Sequence, residues 1–121
     1  MKNLIVVAPT FYSDLNETRY RLGLEACKEA ARCDIRLILV DASPIPDMAK
    51  HFVEAGMGKH GSMVAVKKQK SKGRKGSALR EAIQAAVDEM TQNSDGDANC
   101  FVAFQELEKV QMISFWASIV K

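Results

Sequence analysis

The sequence predicts an α/β fold, a three-layer open parallel sheet with helices on both sides, in a single domain that spans residues 1–121. Three observations support this prediction. Four short runs rich in apolar and β-branched residues lack a clean polar–apolar alternation, as expected of strands buried on both faces. Segments with helical periodicity lie between these runs. Of the 121 residues, 47% are hydrophobic and 26% are charged, which is the composition of a globular chain with one core.

The first half of the chain contains two of the predicted strands. The apolar run Leu4–Ala8 predicts the first strand, and proline follows it directly. A helix comes next, because apolar residues recur at steps of three or four. Its predicted core face consists of Tyr20, Leu24, Cys27 and Ala31. The run Ile35–Val40 then predicts the second strand.

The second half repeats this alternation. A shorter helix is predicted over Asp47–Ala55, just after a proline, and a third strand over Met63–Val66. A strongly periodic helix follows, with a predicted core face formed by Leu79, Ile83, Ala86 and Met90. The fourth strand is Cys100–Phe104, and the last helix begins near Val110, with Ile113, Trp116, Ala117 and Val120 on one face. Because crossovers between parallel strands are right-handed, this order of elements folds as an open doubly wound sheet. Such sheets bind ligands at the carboxyl ends of their strands.

Charge and cysteine usage argue against several classes of protein. The net charge of +2 indicates no strong nucleic-acid partner. The three cysteines, Cys27, Cys33 and Cys100, show no metal-binding spacing, and their odd number favours a reducing compartment. No stretch approaches the roughly 20 apolar residues of a membrane span. We therefore expect a cytoplasmic or membrane-peripheral chain.

Polar residues follow the first two strands. After the first comes the loop Pro9, Thr10, Phe11 and Tyr12. Its threonine hydroxyl and its amides would face a ligand at the edge of the sheet, or the loop forms a simple strand exit. After the second strand comes Asp41. Its carboxylate can accept hydrogen bonds from a base or a ribose, as in dinucleotide-binding folds, or it can cap the turn through Ser43.

A basic stretch follows the third strand. Six of the nine residues in Lys67–Lys75 are basic, and the stretch continues through Gly76 into the periodic helix. Flexible glycines, cations and the amides of a helix start are suited to binding phosphate. The patterns GxxxxGK[ST] and GxGxxG are both absent. The alternative is a solvated basic edge.

Two carboxylates follow the fourth strand. Glu106 and Glu108 are one residue apart, so on an extended segment they point to the same side. Together they could hold a divalent cation such as Mn²⁺ or Mg²⁺. Equally, they could begin the last helix, where acidic residues favour the helix dipole.

Four segments together resemble the GT-A glycosyltransferases of family 2. They are VVAPTF (Val6–Phe11), LILVDAS (Leu37–Ser43), KGRKGSALREAI (Lys72–Ile83) and FVAFQELEK (Phe101–Lys109). The third is the most specific. The resemblance implies the Rossmann-like, N-terminal half of a nucleotide-diphospho-sugar transferase fold, with the acceptor half absent.

The resemblance also implies residue roles. Pro9, Thr10, Phe11 and Asp41 would contact the nucleoside of a nucleoside-diphosphate sugar. The diphosphate would lie beside the matching residues Gly73, Arg74, Lys75, Gly76, Ala78, Leu79 and Arg80. Glu106 and Glu108 stand where the family has its metal-binding DxD motif. No catalytic residue is assigned, because the resemblance covers only the donor half.

Two other functions stay open. One is a non-enzymatic module that binds RNA or another polyanion through the basic loop 67–75, although no aromatic residues interleave with its lysines. The other is a homo-oligomer that buries the Ile113, Trp116 and Val120 face of the last helix.

Overall fold

The computed structural model of the chain describes residues 3–70, 75–93 and 100–119. In these ranges the elements are β1 (Asn3–Thr10), α1 (Thr18–Cys33), β2 (Arg36–Asp41), α2 (Met48–Ala55), β3 (Met57–Gly58), β4 (Gly61–Ser62), β5 (Val64–Lys68), α3 (Lys75–Asn93), β6 (Cys100–Phe104) and α4 (Gln111–Ile119). Four strands form one parallel sheet in the order β5-β2-β1-β6. The predicted α/β class with a parallel sheet is confirmed, and the strand order is compatible with a Rossmann-like fold.

Helices cover both faces of this sheet, as predicted. Alternate residues of a strand point to opposite faces, so β1 and β2 contribute to two separate cores. On one face, Val6, Leu37 and Leu39 pack in a cluster that includes Phe52 of α2 and Ile113 of α4. On the other face, α3 packs over a second cluster, made of Ile5, Val7, Ile38, Val40, Ala78, Ala82 and Ala86. No helix in the described ranges is long and apolar enough to cross a bilayer.

The core faces of α1 and α3 differ from their predicted stripes. In α3 the predicted Ala86 is buried together with Ala78 and Ala82, and the predicted Leu79 and Met90 pack partly buried against this core, whereas Ile83 is 40% exposed. Alanines spaced by four residues let the helix axis approach the sheet closely, so the larger neighbours move to its flank. In α1, the predicted Tyr20 and Cys27 are buried, but Ala31 is only partly buried, and small residues complete the core face: Gly23, Ala26 and Ala30.

The third strand of the sheet begins and ends later than predicted. Strand β5 begins at Val64 and extends to Lys68, so it includes the first two lysines of the basic stretch. A short antiparallel pair, β3 and β4, precedes it and was not predicted. Strands of two residues have no periodicity to detect. Gly61, at the start of β4, has a φ of 111°, which suits a tight turn.

The last strand and helix also differ from their predictions. Strand β6 lies at the edge of the sheet, and its Phe101 is 47% exposed, so burial on both faces was wrong for this strand. In α4, Ile113 is buried, and Trp116 packs against the same core. The helix face predicted to mediate oligomerisation is therefore occupied by the chain's own core, while Val120 lies outside the described residues.

Candidate ligand-binding cleft

A cleft of about 370 Å³ opens at the carboxyl ends of the parallel strands. From β1 the chain proceeds to β2 and β5 on one side and later returns to β6 on the other, so the strand order reverses beside β1. Open α/β sheets bind ligands at such a point of reversal. The residues that line the cleft are Pro9, Thr10, Phe11, Arg19, Ala42, Gln69, Ala78, Phe104, Glu106 and Glu108.

A buried hydrogen-bond network ties together the ends of β1 and β2. The hydroxyls of Thr10 and Ser43 both donate to Oδ1 of Asp41, each at 2.7 Å. The Tyr12 amide donates to Oγ of Ser43 at 2.8 Å. Asp41 is 6% exposed and is not among the lining residues, so it holds the loop under the cleft and caps its own turn. A contact between Asp41 and a nucleoside stays a prediction.

Glu108 has two strong partners that no sequence motif indicates. Tyr12 donates its hydroxyl to Oε1 of Glu108 at 2.9 Å, and Nη2 of Arg19 donates to the same oxygen at 3.0 Å. The Arg19 guanidinium also lies 5.4 Å from the centre of the Tyr12 ring. No spacing motif links these three residues, which come together only because β6 pairs with β1.

Tyr12 is fully buried and serves as a neutral hydrogen-bond donor. Its ring packs against Tyr20 and Phe52, with centroids 5.9 and 6.0 Å away. Burial raises the pKa of Tyr12 well above its ordinary value, and the negative charge of Glu108 raises it further. The hydroxyl therefore keeps its proton and orients the Glu108 carboxylate.

The segment that contains Glu106 and Glu108 is a turn and not the predicted extended stretch. The amide of Lys109 donates to the carbonyl of Glu106, and that of Val110 donates to the carbonyl of Glu108, both at 3.0 Å. The side chain of Leu107 is buried in the cluster that contains Phe52 and Ile113, and it anchors the turn. Both glutamates nevertheless line the cleft. Leu107, which separates them in the sequence, points into the core instead.

Gln105 connects this turn to its surroundings. Its side chain is buried, and its backbone amide donates to the carbonyl of Val7 at 3.2 Å. The indole nitrogen of Trp116 donates to Oε1 of Gln105 at 2.9 Å. The turn is therefore held by β1 on one side and by α4 on the other.

The donor atoms present do not fit a divalent cation held by the protein alone. Glu106 and Glu108 supply carboxylate oxygens, but the guanidinium of Arg19 already neutralises Glu108 and would repel a second cation. The described residues contain no group of three or more histidine, cysteine, aspartate or glutamate side chains that could hold a metal. Binding of Mn²⁺ or Mg²⁺ stays a prediction, tested below.

The structure describes part of the predicted phosphate-binding stretch. Gly73 and Arg74 lie outside the described residues, as does the side chain of Lys75. Gly76 is in the first turn of α3, and a Cβ added there would meet no described atom within 4 Å. Ala78 in the same region lines the cleft, whereas Arg80 is exposed and does not line it. The beginning of α3 thus adjoins the cleft.

A second groove, of about 460 Å³, lies between β5 and α3. It is lined by Lys67, Lys68 and Lys70 but also by three carboxylate residues, Glu81, Asp88 and Glu89. Oε1 of Glu81 accepts a hydrogen bond from the Lys70 amide at 2.8 Å, and Arg36 donates two to Glu89, at 2.9 and 2.6 Å. These carboxylates weaken the case for a polyanion in this groove.

Comparison of the chain with protein-family models, curated proteins and solved structures gives no match.

Proposed function

We propose that the cleft binds a nucleoside-diphosphate sugar, and that the sheet is the Rossmann-like donor half of a GT-A-like glycosyltransferase fold. The observation that carries this proposal is the position of the cleft. It lies where the strand order reverses, between the loop after β1, the end of β6 and the beginning of α3. An open parallel sheet binds nucleotides at this place.

The nucleoside would lie on the loop after β1. Phe11 is 55% exposed at the cleft, so its ring offers a face on which a base can stack. The loop is held in place because Thr10 and Ser43 both donate to the buried Asp41. Stacking of a base on an aromatic ring contributes about 1–3 kcal/mol.

The diphosphate would lie at the beginning of α3. The amides in the first turn of a helix carry no partner within the helix and attract anions. Gly76 weakens the helix by about 0.5–1 kcal/mol relative to alanine, and no described packing contact requires a glycine there. A glycine at this position instead lets the backbone approach a phosphate. The basic stretch that precedes it would add positive charge.

The sugar would lie toward the end of β6. There the carboxylate of Glu106 lines the cleft and can accept hydrogen bonds from sugar hydroxyls. In a complete glycosyltransferase, cationic groups around the diphosphate stabilise the departing nucleoside diphosphate. In this proposal the chain binds the donor, and no residue is assigned as the catalytic base.

Calorimetric titration with UDP and GDP tests the nucleoside part. We expect the wild type to bind at least one of them, and Phe11→Ala to weaken binding by about 5- to 150-fold, the equivalent of one lost stacking contact. Phe115→Ala is the control, because Phe115 is 51% exposed, contacts the ring of Trp116 and does not line the cleft. If neither nucleotide binds to the folded wild type, the proposal is wrong.

Two more variants test the diphosphate and metal parts. Gly76→Ala should raise the free energy of unfolding, because alanine favours the helix, yet should weaken binding of UDP or GDP more than binding of the nucleoside alone. Titrations with and without Mn²⁺, on the wild type and on Glu106→Gln, test the metal. Binding that requires Mn²⁺ and depends on Glu106 would support a metal site, and binding unchanged by Mn²⁺ would refute it.

A further inference from the structure

Two charged side chains of the cleft, Arg19 and Glu108, form an ion pair that uses only part of their hydrogen-bonding capacity. Both residues line the cleft, and Nη2 of Arg19 lies 3.0 Å from Oε1 of Glu108. The hydroxyl of Tyr12 donates to this same oxygen at 2.9 Å. The second carboxylate oxygen of Glu108, Oε2, accepts no hydrogen bond from any described residue.

This second oxygen of Glu108 is open to the cleft. Within the described ranges, no buried side-chain oxygen or nitrogen lacks a hydrogen-bond partner. Because Oε2 has no partner there, it is not one of the buried atoms. The side chain of Glu108 is 18% exposed, and it lines the cleft. Glu108 therefore offers the cleft an acceptor that no described residue uses, while its other oxygen is held by two donors.

Arg19 offers donors beside this acceptor. A guanidinium carries five N–H groups in one plane. Glu108 accepts from one of them, and the carboxylate of Glu17 lies 3.8 Å from Nη1, too far for a hydrogen bond. The side chain of Arg19 is 61% exposed, and its guanidinium lies 5.4 Å from the centre of the Tyr12 ring, a contact that favours one orientation. N–H donors and an oxygen acceptor thus lie side by side at the cleft.

A vicinal diol fits this arrangement better than an anion does. A hydroxyl both donates and accepts, so one of two neighbouring hydroxyls can donate to Oε2 of Glu108 while the other accepts from Arg19. A phosphate or a carboxylate at the same place would accept from Arg19 but would also lie beside the negative charge of Glu108, which repels it. The edge of a base is the other group with a neighbouring donor and acceptor, and the experiment below separates it from a diol.

We propose that Arg19 and Glu108 bind a vicinal diol of the ligand, and that Glu108 determines specificity for its hydroxyl groups. The inference rests on the proposed function, in which the diol belongs either to the sugar of the donor or to the ribose of its nucleoside. Glu108 follows β6, toward whose end the sugar is proposed to lie, so the sugar is the expected source. This role differs from the metal-binding role that the resemblance implies for Glu108.

Calorimetric titration with UDP, dUDP and UDP-glucose, on the wild type and on Glu108→Gln, tests the inference. Because Arg19 can only donate, the new amide oxygen stays with Arg19 and Tyr12, and the amide nitrogen replaces Oε2 at the cleft. A charged hydrogen bond is thereby replaced by a neutral one, which is about half as strong. We expect the dissociation constant of UDP-glucose to rise about 5- to 10-fold, and those of UDP and dUDP to change by less than about 2-fold. If GDP is the nucleotide that binds, the series uses GDP, dGDP and GDP-mannose.

Glu89→Gln is the matched control. Glu89 is likewise paired with an arginine, Arg36, and is 25% exposed, but it lines the second groove and not the cleft. It should leave all the dissociation constants unchanged. Arg19→Lys keeps the positive charge but loses the planar set of donors, so it should also weaken UDP-glucose more than UDP. Circular dichroism establishes that each variant folds.

The three ligands separate the sources of the contact. Since dUDP lacks the 2′-hydroxyl, a loss of affinity in Glu108→Gln for UDP and UDP-glucose but not for dUDP would assign the diol to the ribose. An equal change for all three ligands would overturn the inference, because the contact would then be to the base or the diphosphate, and so would no change for any of them. Those outcomes leave nucleotide binding itself intact. If neither UDP nor GDP binds to the folded wild type, the proposed function is wrong, and this inference with it.

Discussion

The hydrogen bond from Tyr12 to Glu108 joins residues 96 positions apart, and we expect it to stabilise the fold. Tyr12→Phe removes the hydroxyl and leaves the ring packed against Tyr20 and Phe52. A hydrogen bond to a charged group contributes about 1.5–3 kcal/mol. Glu108 keeps its ion pair with Arg19, and its side chain is 18% exposed, so water compensates in part. We therefore expect a loss of about 1.5 kcal/mol.

A double-mutant cycle separates this contact from general packing effects. Glu108→Ala leaves the hydroxyl of Tyr12 without its acceptor, and that hydroxyl belongs to a fully buried residue. Tyr12→Phe should relieve this penalty, so the double variant should be more stable than the sum of the single losses by about 1–2 kcal/mol. Tyr20→Phe is the control, because the hydroxyl of Tyr20 bonds to His51 instead.

Urea unfolding measures these free energies. Trp116 is the sole tryptophan of the chain, and it bonds to Gln105 at the start of the turn that carries Glu108, so its fluorescence reports on that turn. Far-UV circular dichroism reports on the helices. Free energies for Tyr12→Phe and Glu108→Ala that add to within about 0.5 kcal/mol would refute the reasoning, as would equal coupling of Tyr20→Phe to Glu108→Ala.

Three further predictions concern stability, and urea unfolding tests each. Gly56→Ala should cost about 1–3 kcal/mol, because its Cβ would overlap a side chain of β5, whereas Gly58→Ala should cost less; equal losses would contradict this. Thr10→Val removes a donor from the buried Asp41 and should also cost about 1–3 kcal/mol, and a loss near zero would be inconsistent with the network. Burial raises the pKa of Cys27 from 9.0 to about 12. The neutral thiol therefore makes its full contribution to the free energy of unfolding below pH 9, and this contribution declines as pH rises toward 12. The decline should be smaller in Cys27→Ala, and an identical pH profile would argue against this origin.

The central strands and the positions of the cleft residues could be predicted from local sequence. Strands β1 and β2 lie in the middle of the sheet, so each needs apolar residues on both faces, and that requirement is visible in the sequence itself. The structure extends β1 two residues beyond its predicted end, so Pro9 and Thr10 close the strand and Phe11 follows it, while Glu106 lies just after β6. Because all carboxyl ends of a parallel sheet lie at one edge, these residues were expected to meet, and all four line the cleft.

The contacts that organise the cleft could not be predicted in this way. Arg19 and Tyr12 bond to Glu108 only through the pairing of β6 with β1, and no local pattern encodes a contact over such a separation. The functional role of Asp41 was ambiguous for the same reason. Its neighbours in the sequence allow either a ligand contact or a turn cap. Only the tertiary structure shows that its Oδ1 accepts a hydrogen bond from Thr10 on the adjacent strand.

The sequence by itself determined the alternation of strands and helices, the two-sided burial of the central strands and the edge at which polar residues collect. These properties depend on periodicity and on the order of elements, which are local. The tertiary structure decided which flank of α3 faces the sheet, which strand lies at the edge and which carboxylates are already paired. These properties depend on how closely particular side chains let the elements approach one another. Ala78, Ala82 and Ala86, for example, let α3 lie close to the sheet, and Ile83 is left exposed on the flank of the helix.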